Sequence, residues 1–176
     1  VTPFEHNAVV RPLYHMKEKY DFDICEMPLD KDLNIDFEKL KYSFSVNRPT
    51  CVIMTHISNV TGYVIDVHKI AEEARKYGAV IILDISQSLG LIPVEMEKWG
   101  IDFVAFAGHK ALYGPLGVGG FVSNGRVSLR HYICGGTGTQ SLDTGMPSAL
   151  NGGYEPGSPN IVAIAGLNAA IDELDD

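Results

Sequence analysis

The sequence predicts an α/β fold: a mostly parallel sheet sandwiched by helices. Three observations carry that expectation. Helical apolar spacing alternates with short runs that are apolar on both faces, as strands buried on both sides must be. Glycine, proline and asparagine punctuate the boundaries between those runs. The chain has 176 residues, of which 45% are hydrophobic and 20% charged, enough for one domain with a real core.

Taken in order, "AVVRPLYHMKEK" spaces its apolar residues as a helix does, and "FDICEMPL" is a short strand-like run closed by Pro28. "DFEKLKYSF" is helical in composition and "TCVIMTHI" reads as a buried strand. "DVHKIAEEARKYG" is the clearest helix, with Asp66 as its N-cap and Gly78 as its stop. "AVIILDI" is a continuous β-branched run, and "IDFVAFAG" and "GVGGFVSN" supply two more strands. The last segment, "NIVAIAGLNAAIDELDD", closes as an amphipathic helix. A Gly-, Ser- and Thr-rich stretch over residues 131–158 interrupts this order. A loop of that length in a compact domain is either functional or disordered.

Composition excludes several functions. A formal charge of −8 and no basic stripe disfavour a nucleic-acid partner. No apolar run reaches the length of about 20 residues needed to cross a membrane, so no membrane role is expected. The three cysteines, Cys25, Cys51 and Cys134, are widely spaced with no CxxC, which suggests neither a disulfide framework nor a metal site. A reducing, cytoplasmic setting fits them best. Cys25 and Cys51 read as core residues.

Ligands of open α/β sheets gather at the carboxyl ends of parallel strands. Thr55, His56, Ser58 and Asn59 follow one run, Asp84, Ser86, Gln87 and Ser88 a second, and Gly108, His109 and Lys110 a third. Asp84, placed directly after "VIIL", needs a cation or strong donors to offset its desolvation. It could equally cap its own turn or pair with Lys110. The spacing around Lys110 lacks GxxxxGK[ST], which excludes a phosphate-binding P-loop. A lysine beside His109 at the edge of an apolar strand instead suits an amine nucleophile and Schiff-base chemistry. The glycines of "GVGGFV" are explained most simply by close backbone packing, because no helix follows a GxGxxG.

These residues resemble the class V aminotransferase and cysteine desulfurase-like family, fold type I enzymes dependent on pyridoxal phosphate. The resemblance runs through "EHNAVVRPL", "THISNVTG", "LDISQS", "DFVAFAGHKALYGPLGVGG", "GGTGTQS" and "YEPGSPN", in the family's order. It implies that residues 1–176 are the central part of a pyridoxal-phosphate-binding large domain, truncated at both ends. It further implies that Lys110 carries the cofactor and that Asp84 accepts the pyridinium N–H. Gln87 and Asn59 would bond the phenolic oxygen, and His6 would stack on the ring and take part in proton transfer. His109 would bind the phosphate, and Ser158 would reach the partner's cofactor phosphate, placing residues 131–158 at a homodimer interface. Ala107 stands where the family usually has a phosphate-binding hydroxyl, a loss worth about 1.5–3 kcal/mol.

The function implied is removal of sulfur from cysteine, giving alanine and an enzyme persulfide. A class V aminotransferase or selenocysteine lyase acting on a small amino acid is the alternative, and a catalytically inactive dimerisation module is another. None of the three cysteines matches the desulfurase nucleophile.

Overall fold

The computed structural model describes residues 1–148 and 153–174. The stretch 149–152 of the long loop and residues 175–176 lie outside the described residues.

Helix α1, Asn7–Lys17, opens the chain, and α2, Phe37–Asn47, follows with Asp36 as its N-cap, its carboxylate accepting the Lys39 N–H at 3.1 Å. Strand β1, Cys51–Thr55, leads into α3, Val67–Arg75. Asp66 caps α3 by accepting the Lys69 N–H at 3.1 Å, and Gly78 beyond it takes a left-handed φ of 71°, so both expected boundary signals act. Strand β2, Val80–Asp84, is followed by the short helix α4, Met96–Trp99. Strands β3, Phe103–Ala107, and β4, Gly119–Ser123, complete the sheet, and α5, Ile161–Leu174, closes the described chain.

The sheet order is β1-β2-β3-β4, with the first three strands parallel and β4 antiparallel to β3. Helical crossovers carry the chain between the parallel strands, whereas the β3–β4 connection is short enough to reverse direction. Val52, Met54, Ile81 and Leu83 turn toward a core shared with Leu40 and Phe44 of α2 and Ile70, Ala71 and Ala74 of α3. Ile53 and Ile82, on the other face, are half-buried.

Three expectations need correction. "FDICEMPL" forms no strand: its backbone bonds are the Val1 ammonium on the Cys25 carbonyl at 2.8 Å, the Met27 N–H on the Val1 carbonyl at 2.9 Å and the Asp36 N–H on the Pro28 carbonyl at 2.9 Å. Leu29 adds one isolated bridge to Ile35. A strand-like sequence without a neighbouring strand has no ladder to join. Cys25 and Cys51 are exposed rather than in the core, because both line a cavity of about 640 Å³ between this segment, α2 and the free edge of β1. Finally, α5 is not amphipathic in the expected sense. Ala163 and Leu167 are buried, yet Ile161, Val162 and Ile164 of the same helix are exposed.

Candidate active site at the carboxyl end of the sheet

The register of the parallel strands sets Thr55, Asp84 and Ala105 side by side across β1, β2 and β3. Because the three strands run the same way, the polar residues after each emerge at one end of the sheet. Asn59 lies in the turn after β1, Asp84 ends β2 with Gln87 in the loop beyond, and His109 and Lys110 follow β3. Asp84, Gln87 and Lys110 are half-buried, whereas Asn59 and His109 are exposed.

Asp84 uses one oxygen locally, Oδ1 accepting the Ser86 N–H at 2.8 Å. That is the turn-capping bond its position allows. Its second oxygen has no hydrogen-bond donor, and Asp84 and Lys110 form no ion pair, among the described residues. Both charges are left for something else to meet.

Lys110 sits on a closed loop. The Gly108 N–H donates to the Val118 carbonyl at 3.0 Å, the Gly114 N–H to the Gly108 carbonyl at 2.9 Å and the Tyr113 N–H to the Lys110 carbonyl at 2.9 Å. The glycines permit this closure: a Cβ on Gly114 would lie 2.7 Å from both the Gly108 carbonyl oxygen and Leu167 Cδ1. Gly119, opposite Ala107, has equally little room, with the Phe106 carbonyl oxygen 2.7 Å from any added Cβ. Close backbone packing thus accounts for these glycines. Gly90, at φ 88°, brings the loop after β2 to 3.2 Å from the Ala111 carbonyl oxygen, measured from where its Cβ would stand. The loops bearing Gln87 and Lys110 are therefore in contact.

His6 is the N-cap of α1, its Nδ1 accepting the Ala8 N–H at 3.1 Å, and its ring is exposed. The acceptor role of Nδ1 assigns any ring proton to Nε2. Residue 5, by contrast, reaches into the site's floor, with Glu5 Oε1 accepting the Thr55 N–H at 2.8 Å. No motif singled out Glu5, although it stands beside His6 in the "EHN" that opens α1.

His56 and Ser88 form a second buried pair, His56 Nδ1 lying 3.0 Å from Ser88 Oγ, with the imidazole edge-on to Trp99 at 5.6 Å. Burial pushes the His56 imidazole below its usual range, which suits a neutral structural ring between two loops.

The structure does not bring Ser158 to this cluster through any hydrogen bond among the described residues; it is exposed in the segment leading to α5. The loop around it is held internally, by Tyr154 Oη on the Leu129 carbonyl at 2.9 Å, by His131 Nδ1 at 2.8 Å from the Gly153 carbonyl oxygen and by the Gly157 N–H on the Gly136 carbonyl at 2.7 Å. Among the described residues no cluster of His, Cys, Asp or Glu could hold a metal, and no helix is long and apolar enough to cross a membrane.

Among the described residues, the open sheet of this α/β domain presents at its strand ends a carboxylate with one unbonded oxygen, a lysine in no ion pair and amide side chains, where ligands of such sheets gather. The family model for class-V aminotransferases matches residues 1–176, and the chain belongs to that family. It is 32% identical to a probable cysteine desulfurase of Halalkalibacterium halodurans over 100% of this chain and 44% of that one. It is 34% identical to a cysteine desulfurase of Pectobacterium atrosepticum over 98% of this chain and 43% of the relative. Among solved structures, the cysteine desulfurase CsdA of Escherichia coli superimposes with a TM-score of 0.85 at 25% identity, covering 99% of this chain and 44% of that one. The fold is that of fold type I enzymes, and the chain spans under half the length of these relatives.

Proposed function

We propose that this chain is the central part of the cofactor domain of a pyridoxal-phosphate-dependent cysteine desulfurase. The observation that carries the reading is the half-buried Asp84 at the end of β2, with one oxygen unbonded among the described residues, on the same sheet end as Lys110, which forms no ion pair among them. The donor set suits this cofactor: a carboxylate for a pyridinium nitrogen, an amine for an aldehyde carbon and amides for a phenolic oxygen. When bound, the cofactor supplies a protonated ring that takes up the electron pair released as a bond at the substrate Cα breaks.

The roles of the chain's own residues follow. Asp84 holds the ring nitrogen protonated. Asn59 and Gln87 bond the phenolic oxygen, and His6 stacks on the ring. His109 meets the phosphate, with Ala107 contributing no hydroxyl there. Lys110 would carry the cofactor, and its free amine would move a proton at the substrate Cα. Cys25, Cys51 and Cys134 are assigned no part in accepting sulfur. The names of the relatives favour sulfur removal from cysteine over amino-group transfer or selenocysteine cleavage.

Dimerisation is part of the reading. Ser158 would serve the partner's cofactor, and the exposed Tyr132, Ile133 and Leu142 of the same loop supply apolar surface for a second copy. Free cysteines support a cytoplasmic setting.

The test is direct. Pyridoxal phosphate added to the purified chain is expected to give visible absorption, and borohydride followed by peptide mapping is expected to find the modification on Lys110. Lys110→Ala abolishes it. A wild-type chain that takes up no cofactor supports the inactive dimerisation module instead.

A further inference from the structure

Glu5 joins the two sides of the candidate site. Its Oε1 accepts the Thr55 N–H at 2.8 Å and the Thr2 hydroxyl at 2.5 Å, and that hydroxyl accepts the Phe4 N–H at 3.3 Å. Thr55 ends β1 and is the register partner of Asp84, whereas His6, the next residue after Glu5, begins α1. One side chain thus ties the helix start bearing His6 to the strand end beside Asp84. It also stands in for a backbone acceptor that the outer edge of β1 lacks at this position.

The other oxygen is the anomaly. Oε2 is buried and meets no donor, the single side-chain polar atom in that condition among the described residues. A buried, ionised oxygen without a donor is unfavourable, and here it would add a second negative charge close to that of Asp84. A proton on Oε2 removes the buried charge and its repulsion from Asp84, and leaves Oε1 free to accept its two bonds. The charged groups that bear on it are the Val1 ammonium and the Asp84 carboxylate. Burial raises the Glu5 acid above the usual carboxylate range and Asp84 adds to the rise, outweighing Thr2, the Thr55 N–H and the Val1 ammonium.

We propose that Glu5 is a positioning residue: through Oε1 it pins the start of α1, and His6 with it, to the carboxyl end of β1. It keeps a proton on Oε2 to a higher pH than an exposed carboxyl does. The consequence for the cofactor rests on the roles of His6 and Asp84 proposed above; the clamp itself does not. In its protonated form Glu5 fixes the distance between ring-stacking histidine and ring-nitrogen carboxylate without competing for the positive charge Asp84 must stabilise.

The experiment compares the full 176-residue chain with Glu5→Gln and Glu5→Ala. Without cofactor, an acid raised in the folded state binds its proton more tightly there than in the unfolded chain, so the wild type loses stability as pH rises from about 4.3 through its folded value. Glu5→Gln keeps the acceptor and cannot ionise, so its melting temperature lacks that decline. Thr55 amide exchange stays slow in wild type and Glu5→Gln and speeds about tenfold in Glu5→Ala, the equilibrium worth of one hydrogen bond. With pyridoxal phosphate, Glu5→Ala weakens retention about tenfold and Glu5→Gln restores it. Identical pH profiles for wild type and Glu5→Gln, or Thr55 exchange as fast in Glu5→Gln as in Glu5→Ala, overturn the proposal. A wild type that takes up no cofactor refutes the proposed function, while the two cofactor-free readouts still decide the clamp.

Discussion

Asp102 and Asp84 stand at opposite ends of the same sheet, and their surroundings differ in kind. Asp102, just before β3, is fully buried; Arg126 Nε reaches Oδ1 and a second Arg126 nitrogen reaches Oδ2, each at 2.6 Å. The Ile81 N–H meets Oδ2 at 2.8 Å and the Asn124 amide meets Oδ1 at 3.1 Å. Burial alone would raise its acid, but Arg126, the Ile81 N–H and Asn124 together hold it at about 2. Asp84, at the end of β2, has one backbone donor and no cation among the described residues. A carboxylate with every lone pair met locks strands together; one left half-served at the ligand end of the sheet is available to a ligand. Burial and charge alone do not separate the two, but the census of partners does.

The largest expected effect sharpens this contrast. Asp102→Ala leaves Arg126 and the Ile81 N–H without their acceptor and is expected to destabilise the chain by about 3–5 kcal/mol in urea unfolding. The pH dependence follows from the same group. Its folded acid lies near 2 against an ordinary 3.8, so its contribution is fully present above the ordinary value and is lost as pH falls toward 2. Wild type should therefore lose about 2 kcal/mol over that acid range relative to Asp102→Asn.

At the other end, Gly114→Ala forces a methyl group against the Gly108 carbonyl and Leu167 and is expected to cost about 1–3 kcal/mol, with the Lys110 loop displaced. The smallest effect on folding belongs to Asp84→Ala, within about 0.5 kcal/mol of wild type, while cofactor retention falls at least about tenfold. Should Asp84→Ala unfold the chain as Asp102→Ala does, the distinction between the two carboxylates is broken.

Much of this was legible in the residues. β1, β2 and β3 follow the apolar runs because a strand with one face in the core and the other half-buried tolerates few polar residues, and Asp66 and Gly78 bound α3 by local bonding and local backbone conformation alone. Asp84 and Lys110 stood out because a charge at the end of an apolar strand needs a reason. Glu5 did not, since a glutamate near a helix start is ordinary, and only the bond from the Thr55 N–H, 50 residues on, sets it apart. Cys25 and Cys51 misled for the converse reason: small apolar character predicts burial only where a neighbour comes to cover it.

What the sequence by itself determined was the alternation of elements, their caps and the residue types at the strand ends, all set within a few residues by periodicity and backbone preference. The tertiary structure alone decided which strand ends became neighbours, that β4 turns back along β3 and that Glu5 lies beneath Thr55. Those outcomes depend on contacts between residues far apart in the chain, whose distances no local pattern encodes.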